Sequence, residues 1–577
     1  MIKSAKKLLL AFCCFLALLS SRGAEVIINE IMYRPPVETN KEEYIELFNA
    51  GTNAVDLAGW RFTTGIRFAF TNPTILPPGG HLVVVQHTPT FTNKYPGVGN
   101  FVGDWDGILS NSGQLIELVD ALGQRADSTR YSDEGDWAKR VKGPIDYGHR
   151  GWEWGSEADG GGKSLELMNP DLSNKCGQNW APSTVPDGTP GRANSVSSGN
   201  IAPLILDAEH FPLVPKSTES VAIRARIVDE STNGLAVAVH HRVDGKASFT
   251  VTAMADDGLH GDGAPGDGVY GALLPPQTND TMVEFYVEAR DAGNHIRTWP
   301  APALIDGAPA PAANLLYQVD DSAYAGSQPL YRLILTAADQ AELGQINRNS
   351  PPPPFSNSDQ TRSHAEMNGT FISLDGTGVA CRYNVGVRNR GNGSRNLRPQ
   401  NYRVNFPNDQ LWKQVRAINI NAQHPHAQLF GSAIYRRAGL PTQETRAVQV
   451  RVNNANLATS GAPSYGFYAC NEVLNNEFAA HAFPHDSSGN IYRGIRISGA
   501  GADLHYEGEN PGPYRVNYFK QTNTSQDDWT DLIELTRVLD NASDADYARE
   551  VRRVANVEEW LRYFAIETMA DNKETKL

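Results

Sequence analysis

The chain is poor in the features that staple small exported domains or carry a polypeptide across a bilayer. Only 5 cysteines occur in 577 residues, and two of them, Cys13 and Cys14, fall inside an N-terminal apolar run. The other three, Cys176, Cys381 and Cys470, are odd in number, so disulfides do not supply the framework and apolar cores must hold the domains together. Beyond the N-terminus no apolar stretch reaches the eighteen or so residues of a membrane-spanning helix. Positive charge is scarce as well: 51 Lys and Arg stand against 65 Asp and Glu, a net charge of -14. Sequence-independent binding to a phosphate backbone therefore has no support at the level of the whole chain. No Gly-x-x-x-x-Gly-Lys, Gly-x-Ser-x-Gly or His-Glu-x-x-His run is present, which removes the P-loop, hydrolase-elbow and zinc-protease readings. His240-His241 and His424-Pro-His426 are isolated pairs without the further ligands a metal needs.

What is present begins with a basic start, Lys3, Lys6 and Lys7, followed by the apolar run Leu8 to Leu19 and small residues at Ser21 and Gly23. This is the pattern of a secretory signal over residues 1–23, and it places the protein outside the cytoplasm, extracellular, periplasmic or at the cell surface. Its removal takes away four basic residues, Arg22 included, and leaves a mature net charge of −18. The length suits three or four domains, and the 52 Gly and 35 Pro follow no collagen-like period.

Residues 25–195 show short alternating strands between turn clusters, as in Tyr44 to Phe48, His81 to Val85 and Gln114 to Val119. This predicts an antiparallel β-sandwich, with Trp60 and Trp180 packing at its core and edge. The runs Ile28-Asn-Glu-Ile-Met32, Glu43-Tyr-Ile-Glu-Leu47, Asp56-Leu-Ala-Gly-Trp60, Leu76-Pro-Pro-Gly-Gly80, Leu109-Ser-Asn-Ser-Gly113 and Gly188-Thr-Pro-Gly191 occur in order. On these the segment resembles a lamin-tail domain. The resemblance implies an immunoglobulin-like fold and a role in attachment or interaction.

After the linker Ser195 to Asn200, residues 200–319 predict a second small sandwich, with Val221, Ile223, Ala225 and Ile227 on one face and Val283, Phe285, Val287 and Ala289 on another. The segment resembles the fibronectin-like or immunoglobulin-like spacers of surface proteins. Within it Asp256, Asp257, Asp262 and Asp267 alternate with glycines. These carboxylates serve either as hard oxygen ligands for Ca²⁺, in a spacing unlike an EF-hand, or as ordinary tight-turn residues. Trp299 to Ala313, with four prolines, reads as a stiff connector.

Residues 325–577 change character. Strands near Ala380 to Arg388, Asn401 to Phe406, Val448 to Val452 and Tyr465 to Val473 alternate with a helix over Leu429 to Ala438. A later helix opens on an Asn556 and Glu559 capping box and places Trp560, Leu561, Phe564, Ala565 and Thr568 on one side. The fold class expected for the chain is therefore multidomain: two all-β sandwiches followed by an α+β domain. Between Gly376 and Asn408 no acidic residue occurs, while Arg382, Arg388, Arg390, Arg395, Arg398 and Arg403 do. Guanidinium forks bind phosphate bidentately, and Gly391-Asn-Gly-Ser394 lets backbone amides approach an anion. The alternative is a solvated strand face paired with carboxylates from elsewhere.

Gly386-Val-Arg-Asn-Arg-Gly-Asn-Gly-Ser-Arg395, Asn401-Tyr-Arg-Val-Asn-Phe406, Ile418-Asn-Ile-Asn-Ala422, Arg437-Ala-Gly-Leu-Pro441 and Gly466-Phe-Tyr468 through Glu472 resemble the CotH spore-coat kinase family. The resemblance implies a kinase-like domain, with a β-rich and a helical lobe holding ATP and Mg²⁺ and passing phosphate to Ser or Thr of a secreted protein. It assigns Arg388, Arg390, Arg395, Arg403 and Glu472 to the nucleotide, and Asp571 or Glu574 to the catalytic loop. Where many relatives carry Lys-Lys this chain has Pro399-Gln400-Asn401, so a lysine contact to phosphate is missing and an arginine would have to substitute. The sequence stops at Leu577 where the family enters its catalytic loop, and a downstream aspartate motif that binds metal in relatives is absent. The expectation is a C-terminally incomplete domain, a fragment of a large exported bacterial protein in which kinase activity is in doubt. A non-catalytic surface attachment or scaffold protein, meeting a secreted or envelope protein or a surface polymer through its sandwiches, is the competing reading.

Overall fold

The computed structural model describes residues 25–346, 363–391, 394–395, 397–494, 502–524 and 526–570. The predicted signal segment, Asp571 and Glu574 lie outside them. The chain forms two compact units: the described residues of Met1–Asp133 with Ser156–Ile201, and those of Glu134–Gly155 with Ala202–Leu577.

In the first unit the alternating runs form two sheets of an immunoglobulin-like domain. The larger has the order Trp180–Pro182, Leu165–Leu167, Val26–Met32, Tyr44–Asn49, His81–Val85, Phe101–Gly103, and a second joins Arg61–Thr64, Gln114–Val119 and Arg125–Tyr131. Val26–Met32 is buried along its whole length, and its Ile31 stands opposite Ile45 of one neighbour and Leu165 of the other. Trp180 is buried and Trp60 half-buried.

Alternation places carboxylates inward too, and Glu30, Glu46 and Glu166 are wholly buried. Each is satisfied by donors, because an unpaired buried polar group carries a penalty of about 1–3 kcal/mol. Glu30 accepts from the Tyr44 hydroxyl at 2.6 Å, the Ser164 hydroxyl at 2.6 Å and the Thr189 amide at 2.8 Å. Glu46 accepts from the Gly191 amide at 2.6 Å, and Glu166 from the Thr189 and Ser195 hydroxyls at 2.7 Å each. The Gly188-Thr-Pro-Gly191 run therefore closes the unit by delivering amides to inward carboxylates. Gly188 and Gly191 supply the positive φ this requires, +78° and +82°.

The second unit contains a sandwich and a barrel. Leu204–Phe211, Val221–Val228 and Val269–Leu274 form one sheet, and Thr250–Met254, Ala236–Val243, Met282–Arg290 and Ile296–Trp299 the other, with Leu315–Gln318 also paired to Met282–Arg290. The predicted faces, Val221 to Ile227 and Val283 to Ala289, meet in one core.

The stretch expected as a stiff connector is instead a hairpin. Ala303–Ile305 and Ala308–Ala310 pair antiparallel, and Leu304 pairs in parallel with Val141. Val141 belongs to Lys139–Lys142, which with Trp152–Gly155 forms a second hairpin on the same sheet. The prolines permit this because Pro309 sits on the outermost strand, where its missing amide breaks no ladder.

Seven strands, Leu330–Leu335, Met367–Leu374, Val379–Asn389, Tyr402–Asn405, Ala417–Asn421, Tyr468–Asn471 and Thr445–Val452, close into a barrel through parallel pairing of the first with the last. Tyr331, Phe371, Phe406 and Trp412 pack edge-on or stacked in its core. The helix Pro425–Arg437 starts earlier than predicted, at a proline suited to a first turn. Phe430, which recurs with Ile434 and Ala438 every fourth residue, is 69% exposed, whereas Ser432 is buried and donates to the Gln443 carbonyl at 2.8 Å. The helix Val557–Met569 opens on the expected cap: Asn556 accepts the Glu559 amide at 3.3 Å and donates to its carboxylate at 3.0 Å. Its Trp560 and Leu561 are 38% and 62% exposed. Among the described residues no helix is long and apolar enough to cross a membrane.

Sandwich and barrel share apolar packing. Tyr383 of Val379–Asn389 lies in the sandwich core, and Met282 and Leu316 pack on Ile334 and Ile372. The Tyr383 hydroxyl accepts the His210 amide at 3.1 Å and donates to His210 Nδ1 at 2.5 Å. Burial pushes the His210 imidazole down to about 4, so it stays neutral in this contact.

In the first unit burial, and then the neighbouring Glu46, push the Glu30 carboxyl up to about 8, and burial pushes Glu43 up to about 8. Between the ordinary carboxyl value near 4.5 and 8 the folded unit binds more protons than the unfolded chain. Stability from these groups is thus full below that ordinary value and falls as pH rises through 8. Hydrogen exchange of Val26–Met32 should show protection weakening from pH 5 to 9 by about a few kcal/mol. Glu30→Gln should flatten part of that decline, and an unchanged slope would refute the account.

Candidate functional site

Neighbouring strands of the barrel aim the arginine-rich stretch at one place. Arg388 and Arg403 are directly paired across Val379–Asn389 and Tyr402–Asn405, so alternation sends both side chains to the same face. Arg390 and Gly391 follow at the strand end, with the Arg390 amide bonded to the Asn401 carbonyl at 3.0 Å. A cavity of about 680 Å³ opens there, lined by Arg388, Arg390, Arg395 and Arg403 together with Arg493, Arg515 and Lys520. Its other walls include His364, Asn419, Glu472, Tyr518, Phe519 and Trp529.

Each arginine is oriented by a specific partner. Arg388 donates to His364 Nδ1 at 3.0 Å and pairs with Glu366 at 3.4 Å. Arg390 donates to Asn421, and Arg403 to Asn405 at 2.7 Å. Arg395 donates to the Gly391 carbonyl at 2.9 Å and the Ser363 carbonyl at 3.1 Å. Gly386 keeps this packing possible: a Cβ there would stand 2.1 Å from the Glu366 carboxylate. Burial, then the charges of Arg388, Arg403, Arg493 and Arg395, pull the Arg390 guanidinium down to about 10. Burial and then Arg388 pull Arg403 down to about 10 against the opposing pull of Glu366 and Glu477. Cations under such mutual repulsion gain most from a multiply charged anion.

The five residues assigned to the nucleotide, Arg388, Arg390, Arg395, Arg403 and Glu472, all line this cavity. Glu472 is turned partly away, accepting the Glu444 amide at 3.0 Å and facing His481 at 3.5 Å. Arg382 and Arg398 belong to the same charge island but bond to backbone carbonyls, Leu411 at 2.9 Å and Gly344 at 2.9 Å respectively. At the departure from the lysine pattern, Gln400 donates to the Leu343 carbonyl at 3.1 Å and Asn401 accepts the Ala422 amide at 2.7 Å. Neither lines the cavity. Arg493, Arg515, Lys520 and His364 were not legible, because they come from distant stretches with no charge pattern of their own.

The carboxylates proposed for Ca²⁺ turn onto their own loop. Asp262 accepts the amides of Asp257, Gly258 and His260, Asp256 those of Gly266 and Gly268, and Asp267 those of Ala264 and Val269. Asp257 accepts the Leu259 amide and faces His260. This is tight-turn chemistry, and the four do not converge as a ligand set. Among the described residues no group of three or more His, Cys, Asp or Glu side chains is placed to hold a metal. The cationic lining of the cavity suits an anion, and among its lining residues Glu472 carries a carboxylate.

Residues 20–133 match the family model of the Lamin Tail Domain, and residues 387–575 that of the CotH kinase protein. No curated protein matches the chain. Over 37% of its length it is similar to 21% of a cycloalternan-forming enzyme from Listeria monocytogenes solved with a pentasaccharide substrate, at 9% identity and a TM-score of 0.15. It is similar to 21% of an uncharacterized Listeria monocytogenes EGD-e protein at 10% identity and TM-score 0.14, and to 21% of Salmonella alpha-2-macroglobulin reacted with methylamine at 10% and 0.13. The chain spans about a fifth of each of these structures, and the likeness carries no argument.

If the cavity is built for phosphate, phosphate should raise the melting temperature of the second unit above its value in chloride at equal ionic strength. A rise of roughly 2 °C or more is expected at saturating anion, with most of it lost in Arg403→Gln. Equal melting in the two salts would exclude a specific anion site.

Proposed function

With a lamin-tail domain and a CotH kinase domain carried on one chain, we propose an exported protein whose arginine cavity binds the phosphates of ATP for transfer to Ser or Thr of a secreted protein. The observation that carries the reading is the convergence of seven cationic side chains on one cavity of a chain with net charge -14. Arg388, Arg390 and Arg403 hold phosphate oxygens, each already fixed by a neighbour, so little side-chain freedom is lost on binding. Arg493 and Lys520 add charge from the paired strands Tyr492–Gly494 and Tyr518–Lys520, and Arg515, from the helix Gly512–Asn517, lines the cavity while paired with Asp527. ATP supplies the phosphoryl group. Asp571 and Glu574 stand as candidates for the acceptor-activating base, and both fall outside the described residues. Export rests on Lys3, Lys6, Lys7 and the apolar run after them.

Calorimetric titration of the purified chain with ATP should detect binding that weakens about tenfold or more in Arg390→Ala, the loss expected for a hydrogen bond to a charged group. Absence of binding by the unmodified chain would end the nucleotide reading.

A further inference from the structure

The short segment Ser363 to Glu366, just ahead of the strand Met367–Leu374, organises the cavity's arginines. The Ser363 carbonyl receives Arg395, the His364 ring receives Arg388, and the Glu366 carboxylate pairs with Arg388. None of these residues sits within a strand or helix, so something else must hold the segment in place.

That support comes from the Lys139–Lys142 and Trp152–Gly155 hairpin, which in sequence interrupts the lamin-tail unit. Asp146, in its turn, accepts the His364 amide at 2.6 Å, and the Trp152 amide donates to the Glu366 carbonyl at 2.7 Å. Gly151 lets the two backbones touch, since a Cβ there would stand 2.4 Å from the Glu366 nitrogen and 2.9 Å from Ala365 Cα. The hairpin is in turn fixed by the buried Arg140, which donates to the Asn384 carbonyl at 2.9 Å, and by His149 facing Glu342 at 2.8 Å.

We infer that Asp146 and the hairpin carrying it are positioning elements of the anion cavity, acting on Arg388 through His364 and Glu366. The chain of contacts is short and directional. Asp146 fixes the His364 backbone, and the ring then presents Nδ1 as acceptor to the Arg388 guanidinium, which places the ring proton on Nε2. Trp152 fixes the Glu366 backbone, and its carboxylate holds the other side of Arg388. The anion cavity of the CotH domain is thus set by residues that lie more than two hundred positions earlier in the chain. The inference rests on the cavity binding phosphate.

The test is a double-mutant cycle on the full chain, with tripolyphosphate as probe and affinity and melting temperature both read. Asp146→Ala should weaken binding about five- to tenfold, and Asp146→Asn should restore it because the amide oxygen still accepts the His364 amide. In an Arg388→Ala background the Asp146→Ala loss should shrink to less than about twofold, since the group it positions is gone. A loss of the same size in both backgrounds, or unchanged affinity in Asp146→Ala, overturns the inference while leaving the cavity intact. Absence of tripolyphosphate binding by the unmodified chain overturns the cavity reading and the inference with it. Should Asp146→Ala not fold, Gly151→Ala presses on Ala365 and Glu366 while keeping every hydrogen bond acceptor, and must show the same dependence on Arg388.

Discussion

Gathering like charges around one cavity is the constraint on which the second unit is built. Guanidiniums brought together in a partly dry site repel one another, and each needs a partner that holds it in place. Asn421, Asn405, a ring nitrogen and backbone carbonyls hold theirs without cancelling charge, whereas Glu366 pairs with Arg388 and Asp527 with Arg515. A closed barrel suits the task because it has no free sheet edge and keeps strand positions fixed. Arg388 and Arg403 can then stand side by side on its outer face.

The first unit meets the opposite difficulty. Among the described residues its inward carboxylates face no buried lysine or arginine, and amides and hydroxyls of the closing turn and of Ser195 satisfy them instead. Proton uptake relieves what repulsion remains. The two units of one acidic chain thus handle like charge by different means, hydrogen-bond donors to carboxylates in one and mostly neutral acceptors for guanidiniums in the other.

Period-two alternation made the strands of both sandwiches legible, since one face of each is buried and the pattern must follow. Four of the cavity's six arginines were legible for a related reason: Arg388 and Arg403 lie on adjacent paired strands and Arg390 and Arg395 on the connection between them, so nearness in sequence becomes nearness in space. Arg493, Arg515 and Lys520 were not, because only the tertiary fold carries them to the same place. The 303–310 hairpin was hidden by its prolines, which read as a connector unless the strand is known to be outermost. Phe430 shows the limit of helical periodicity, which finds an apolar stripe without showing that anything covers it.

The ring of Tyr383 lies in the core of the sandwich that precedes the barrel, hydrogen-bonded to a neutral His210. A gene rearrangement that joined this barrel to a different spacer would put a tyrosine hydroxyl into a foreign interior without its acceptor. The abandoned spacer would keep a vacancy the size of an aromatic ring. Sandwich and barrel are therefore bound to pass through recombination as a single cassette, however separable they look as beads on a string.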